Sequence, residues 1–381
     1  MKTATKTNTL QHLSAITGAL ENDEVRKWKK QGGKVIGYLC STIPEEMFTA
    51  AGLLPFRLRG TGSTSTEKAD VFFSSVNCSF PRHCFNQVLR GEYAFLDGLV
   101  LGNSCDNVRR IYDHWTRQNI TPFVHFMSLP RRPKEAQVDW YHHELLTLKA
   151  KMEQGFGVDI TDDRLREAIH VHNESRRLQR DLYNLRKAKA PPITGAQSLA
   201  VTVAGTALPK PQFNTYLNAL LNDLRGAPGH SGHRARLMLI GGILDDPEYL
   251  AVIEERGGLI VADSTCFGSR LFWKDVDEEA DDPLRALARY YVADRPSCPR
   301  VFDAYEGRAA YIRKMIEDFN VDGVILERLM FCDTWGFEQF RLHNDFKEWG
   351  VPLLMLDREY TTGGQGQLRT RVQAFLETLG R

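Results

Sequence analysis

The chain has 381 residues, 42% hydrophobic and 25% charged, the proportions of a water-soluble globular protein too long for one ordinary core. Its 49 Lys plus Arg nearly cancel 48 Asp plus Glu, and no long basic run occurs, which argues against nucleic acid or an anionic membrane as a main partner. No stretch approaches the ~18 uninterrupted apolar residues of a membrane span, and MKTATKTNTLQHLSAITGAL lacks the apolar middle of a signal peptide, so a cytoplasmic location is expected.

A helical lead-in is expected over residues 1–30. GKVIGYLCSTIPEEMFTAAGLLPFRL, from Gly33 to Leu58, then reads strand, loop, helix, strand. Pro44-Glu45 opens its helix, where proline suits the first turn and an acid suits the positive helix end. RGTGSTSTEK, from Arg59, holds Gly60-x-Gly62, but Ser65 replaces the third glycine of a dinucleotide fingerprint, so a loop is expected. VNCSFPRHCFNQ follows an apolar segment, Val71 to Phe73, and carries Cys78 and Cys84. LDGLVLGNSCD, ending at Asp106, reads turn, buried parallel strand, Cys-Asp. Another strand, TPFVHFM, starts at Thr121 and completes a first α/β domain over residues 31–139.

Residues 140–228 read as a helical connector. ELLTLKAKMEQGFG and DDRLREAIHVHNESRRLQRDLYNLRKAKA carry apolar residues at three- and four-residue spacing. Asp162-Asp163 marks a helix start and Pro191-Pro192 a stop. Residues 229–381 form a second α/β domain that repeats the first. RLMLIGGILDDPEYLAVIEERGGLIVAD, from Arg236, puts Pro247-Glu248 in the place of Pro44-Glu45, and VDGVILERLMFCD repeats the strand and its Cys-Asp at Cys332-Asp333. VPLLMLD, from Val351, supplies the last strand. TTGGQGQLRTR, from Thr361, opens the final helix, an end that suits a phosphate as well as an ordinary terminal helix. The fold class is therefore α/β: two related parallel-sheet domains, Rossmann- or flavodoxin-like, with a helical connector and lead-in.

Seven cysteines occur: Cys40, Cys78, Cys84, Cys105, Cys266, Cys298 and Cys332. An odd number in a reducing compartment is not a disulfide framework, and most are expected to be small buried hydrophobes. Cys78, Cys84 and Cys105 fall near one sheet edge, and Cys332 faces them from the other domain. Paired Cys-x2-Cys spacing is absent, and soft thiolates from separated loops suit an iron–sulfur cluster as well as zinc. Spacing alone does not establish either. Cys40 reads as a packed thiol, and Cys266 and Cys298 as structural. Arg109 and Arg110 follow Cys105 by a helical turn, suited to an anionic substrate, to tuning a cluster, or to surface ion contacts. His142-His143 and His170-x-His172 lack ligand spacing, and neither a Walker motif nor a G-x-S-x-G elbow is present.

Five segments in this order, GYLCSTIPEEMFTAAGLLPFRLRG, NCSFPRHCFNQ, GNSCDNVRRIYDHW, VDGVILERLMFCD and GGQGQLRTRVQAFLE, resemble the benzoyl-CoA reductase and 2-hydroxyacyl-CoA dehydratase family. The resemblance implies a [4Fe-4S] cluster on three cysteines, with one iron left a non-cysteine ligand. Motif by motif, the ligands fall on Cys78, Cys105 and Cys332. Cys84, where relatives often have a smaller residue, stands as an alternative to Cys78. The resemblance also implies a second, related cluster-bearing subunit, and an ATP-hydrolysing activator of the acetokinase/Hsp70/actin type with ferredoxin upstream. Within the family the segments look closer to benzoyl-CoA reductase subunits than to dehydratase ones, which points to the smaller cluster-binding subunit of an ATP-dependent, class I reductase acting on aromatic CoA thioesters. Ser41, Thr42, Glu46 and Arg109 are candidates for lining the substrate site. Two other readings compete: a 2-hydroxyacyl-CoA dehydratase subunit, and a two-lobed ligand-binding protein without chemistry.

Overall fold

Two four-stranded parallel sheets, each covered by helices on both faces, form the body of the computed structural model, which describes residues 6–361 and 365–380. Helices α1 (Lys6–Thr17) and α2 (Asp23–Lys30) lead into β1 (Val35–Tyr38), α3 (Glu45–Ala50), β2 (Leu54–Arg57), α4 (Ser79–Leu89), β3 (Gly98–Gly102), α5 (Asp106–Arg117) and β4 (Phe123–Met127). Four helices follow: α6 (Glu135–Phe156), α7 (Asp162–Leu185), α8 (Gly195–Ala204) and α9 (Lys210–Leu224). The second lobe comprises β5 (Ala235–Gly241), α10 (Pro247–Glu254), β6 (Gly258–Ser264), α11 (Pro283–Arg289), α12 (Tyr305–Asp318), β7 (Gly323–Leu329), α13 (Asp333–Trp349), β8 (Leu353–Arg358) and α14 (Gln365–Thr378). Strand order is β2-β1-β3-β4 in one sheet and β6-β5-β7-β8 in the other, so the repeat in the sequence is a repeat of topology.

The apolar runs behave as strands buried on both faces should. Val35, Leu99 and Leu101 pack toward α4, α5, α8 and α9, while Ile36, Tyr38 and Val100 pack toward α3, α6 and α7. In the second sheet Met238, Ile240, Val324 and Leu326 face α12 and α13, and Leu237, Leu239 and Ile325 face α10 and α14. Each such aliphatic side chain, fully withdrawn from water, contributes about 1.5–3 kcal/mol over leaving it exposed.

Helix α7 is the strut between the lobes. Its Arg176 pairs with Glu46 of the first lobe, its Arg180 with Asp275 of the second at 2.7 Å, and its Tyr183 hydroxyl donates to Asp263. Further ties cross the crevice directly. The Tyr360 hydroxyl donates to Asp245 at 2.6 Å and accepts from the Gly60 N–H at 2.9 Å. A Cβ on Gly60 would lie 2.4 Å from the Tyr360 ring, so this glycine serves close approach in a loop, and no helix starts beside it.

Local departures from expectation have local causes. The Val71–Phe73 segment is a turn in which Val71 is 80% exposed, while Phe73 is buried against Phe85 of α4. Helix α7 stops at Leu185, ahead of the two prolines, where Arg186 turns in to bond the Ile260 carbonyl at 2.8 Å. Of the segment read as a phosphate-binding helix end, Thr362, Gly363 and Gly364 lie outside the described residues.

Candidate functional site

In each sheet the strand order reverses between the first and third strands, and loops leaving their carboxyl ends diverge to opposite faces, which opens a crevice. Cys40 follows β1, Cys105 follows β3 and Cys332 follows β7. Cys78, Cys105 and Cys332 share a second property: each is the residue immediately before a helix, α4, α5 and α13 respectively. The Cys105 sulfur accepts the Val108 N–H at 3.5 Å. Helix N-termini carry partial positive charge, which favours a thiolate over a thiol. Asp106 and Asp333, the acids of the two Cys-Asp pairs, are first-turn residues at the same positive ends.

One side chain ties the three places together. Asn107 accepts the Cys78 N–H at 3.2 Å through Oδ1 and donates Nδ2 to the Phe331 carbonyl at 3.4 Å, across the interlobe crevice. Cys78, Cys105 and Cys332 all pack on one apolar cluster, and so does Cys84. Burial pushes the Cys78 thiol up to about 11 and the Cys105 thiol to about 12, Cys105 being raised further by Cys78. Cys332 is raised by burial and then by Cys78 and Cys105. Cys84 sits inside α4 rather than at its end, with no exposed surface, and burial drives its thiol well above the usual range. Among the described residues no three His, Cys, Asp or Glu side chains are gathered around a single metal-ion position. A multi-iron cluster asks for something else, one soft donor per iron from separate directions, and three thiols without a carboxylate or imidazole among them fit that demand.

The candidates for substrate contact separate into two groups. Ser41, Thr42 and Glu46 gather beside β1. Ser41 borders a cavity of about 40 Å³ with Glu45, His172, Arg176 and Lys210. Thr42 is buried, its Oγ1 3.0 Å from the Cys40 sulfur and its carbonyl accepting from the Tyr141 hydroxyl. Glu46 has no exposed surface and is held by Arg176 and, at 2.8 Å, by the Tyr291 hydroxyl. Arg109 does not join them; it is exposed on α5. A larger cavity, about 390 Å³, opens beside the Cys332 loop between Met330, Tyr249, Arg358, Glu359 and Arg371, a size common in ligand pockets.

Three features escaped the sequence reading. Asn107 was within view, two residues past Cys105, but its partners are far away in the chain. Phe331, just before Cys332, and Cys40 both have left-handed backbone, φ 62° and 87°, a conformation that bulky residues keep only where their surroundings impose it. Apolar side chains close in sequence to Cys78 and Cys332 are also exposed: Val71, Val76, Met330, Phe331, Phe337 and Phe340, Phe337 to 79%.

Residues 40–379, a span that includes all seven cysteines, match the model of the 2-hydroxyglutaryl-CoA dehydratase D-component family. The chain belongs to this family. It is 27% identical to the (R)-phenyllactyl-CoA dehydratase beta subunit of Clostridium sporogenes, over 93% of this chain and 94% of that one. To a benzoyl-CoA reductase subunit of Thauera aromatica it is 26% identical over 96% of both chains. To the beta subunit of (R)-2-hydroxyglutaryl-CoA dehydratase of Acidaminococcus fermentans it is 25% identical, over 93% and 94%. These relatives of the dehydratase family are enzyme subunits of heteromeric acyl-CoA dehydratases and of a benzoyl-CoA reductase. No helix among the described residues is long and apolar enough to cross a membrane.

Proposed function

We propose that this chain is an iron–sulfur catalytic subunit of an ATP-dependent reductase that dearomatises benzoyl-CoA-type thioesters. The observation that carries the reading is the set of three thiols, each at a helix N-terminus, arriving from both lobes and joined through Asn107. A [4Fe-4S] cluster held by Cys78, Cys105 and Cys332 would supply electrons singly, at potentials within a range reaching roughly −700 mV. The chain's own part is to deliver three thiolates to a place shielded from water. Burial keeps these sulfurs protonated in the metal-free chain, so loading them releases protons and becomes more favourable as pH rises. The helix ends and the Asn107 tie then hold the three backbones at fixed separation.

The exposed Met330, Phe331, Phe337 and Phe340, on either side of Cys332 in the chain, are what we assign to contact with a second, related cluster-bearing subunit, because exposed aromatics are enriched at protein contacts and the relatives are themselves parts of multi-subunit enzymes. An ATP-hydrolysing activator of the acetokinase/Hsp70/actin type, fed by ferredoxin, would complete the supply of electrons. The chemistry belongs in a cytoplasmic setting.

The family match and the two dehydratase beta subunits also favour a second reading, a 2-hydroxyacyl-CoA dehydratase subunit that expels hydroxide instead of reducing a ring. Strictly anoxic purification tests the shared core: brown protein with roughly four iron and four sulfide per chain supports both readings, and colourless, iron-free protein rejects both. The complex, its activator, ATP and a reductant are then offered benzoyl-CoA and a 2-hydroxyacyl-CoA separately. Reduction of benzoyl-CoA supports the first reading; dehydration of the hydroxyacyl thioester with benzoyl-CoA untouched replaces it with the second.

A further inference from the structure

Helix α3 of the first lobe, helices α7 to α9 of the connector and the stretch after α11 meet around the cavity of about 40 Å³ that Ser41 borders. It has room for about one or two waters, far too little for a thioester. Two of its cations have acids to meet. Lys210, the first residue of α9, lies 2.6 Å from Glu45 and donates to the Gly205 carbonyl at 2.7 Å. Arg176 pairs with Glu46. His172 adds no charge: burial, and then the Lys210 ammonium, draws its ring well below the ordinary value, and its Nε2 lies 2.8 Å from Thr49 Oγ1.

Arg295 is the exception. It borders the same cavity and is 7% exposed. Its Nη1 donates to the Ser41 carbonyl and its guanidinium lies 4.9 Å from the centre of the Tyr291 ring, but its Nε is buried without a hydrogen-bond partner among the described residues. Asp294, its neighbour in the chain, lies 3.8 Å from Arg289 instead. Three buried cations, Arg176, Lys210 and Arg295, therefore stand against two carboxylates, Glu45 and Glu46. A buried cation without a counter-charge is strongly unfavourable. A water in the cavity would satisfy the Nε–H and leave the charge uncancelled.

We propose that this cavity is a binding site for one small monovalent anion of the halide class, with Arg295 Nε and the Lys210 ammonium as its donors. An ammonium has three N–H groups, and Glu45 and the Gly205 carbonyl take two of those on Lys210. The cavity walls come from both lobes and the connector, so a bound anion ties Arg295 and Tyr291 of the second lobe to Ser41 and Glu45 of the first. Its occupancy thereby stabilises the packing of the two lobes on each other.

The test is thermal unfolding of the full-length chain at constant ionic strength, with sodium chloride replacing sodium gluconate. The midpoint is expected to rise by at least about 2 °C and to level off at high chloride, as binding to the folded state alone requires. Arg295→Gln removes the unmatched charge, and its midpoint should not respond to chloride. Bromide-soaked crystals of the parent chain keep the test decisive if that variant does not fold: an anomalous scattering peak is expected in the cavity beside Arg295 and Lys210. A midpoint that does not distinguish chloride from gluconate, a folded variant that responds as the parent does, or a cavity holding only water at high bromide overturns the proposal. Neither readout involves a cluster, so both stand apart from the iron–sulfur reading.

Discussion

Glu46 stood out in the sequence as a substrate contact, and its surroundings make a different prediction that can be worked in detail. Its carboxylate has no exposed surface, and the side chain of its partner Arg176 is 6% exposed. The other carboxylate oxygen accepts from Tyr291 at 2.8 Å. Replacing Glu46 by alanine leaves the Arg176 guanidinium buried, with the Asn173 Oδ1 at 2.8 Å and the Tyr290 ring at 4.5 Å as close partners among the described residues. Orphaning one member of such a pair costs about 3–5 kcal/mol, much of a typical domain's margin. We therefore expect Glu46→Ala to lower the urea midpoint steeply, Glu46→Gln to lower it less, and the double variant Glu46→Leu with Arg176→Met to recover most of the loss, since an apolar pair of matched size needs no counter-charge. Tryptophan fluorescence against urea measures all three. A Glu46→Ala chain as stable as the parent within about 0.5 kcal/mol, yet weakened in thioester binding, would refute this account and return Glu46 to the substrate site.

Cys105→Ser or Cys332→Ser should abolish the visible absorption and iron content of anoxically purified protein, whereas Cys266→Ser, whose sulfur meets Arg270 Nη2 at 3.1 Å, should keep both; metal analysis and spectra decide. Phe337→Asp combined with Phe340→Asp should prevent co-purification with a partner subunit while leaving the thermal midpoint within a few degrees of the parent, because both side chains are solvent-facing. Glu278 gives a pH test. Burial works against its charge, but bonds from His170, Asn173 and Arg177 outweigh that and draw its carboxyl down to about 2. Its contribution is thus present above the ordinary value of 4.5 and fades as pH falls toward 2, so Glu278→Gln should lower the urea midpoint at neutral pH and converge with the parent in acid. The effect is modest, since its basic partners His170 and Arg177 are exposed and the pairing is screened by water.

What could be read in the sequence was what neighbouring residues decide. Leu99–Leu101 and Val324–Leu326 are apolar throughout because both faces of each strand are covered, and the Cys-Asp that follows each run marks where strand becomes helix. The two strand–helix–strand units were visible for the same reason, through Pro44-Glu45 and Pro247-Glu248 at their helix starts. What stayed hidden depends on residues distant in the chain. The burial of Glu46 follows from Arg176, 130 residues away, and the role of Asn107 from Phe331, 224 residues away. Val71 and Phe337 look like core residues by type, and only the placement of α4 and α13 reveals that they face outward.

The duplication explains why sulfur collects in the crevice, and also why the sulfurs are not equivalent. Cys105 and Cys332 leave the third strand of their sheets, while Cys78 and Cys298 both precede the helix that leads into that strand, α4 in one lobe and α12 in the other. Two lobes of like topology therefore direct two pairs of thiols at a shared space. The pairs diverge in local structure. Cys78 stands at the start of α4 with its N–H held by Asn107, whereas Cys298 lies short of α12 and gives its carbonyl to Arg308 at 3.2 Å. That arginine is committed to Glu338 at 2.7 Å, anchoring α12 on α13. At the position that precedes the corresponding helix in the second lobe, the Cys298 backbone therefore takes part in the contact between α12 and α13. Burial raises the thiols of all four, so it is place in the fold, the residue before a helix rather than a loop ahead of one, that separates the proposed cluster ligands from Cys298.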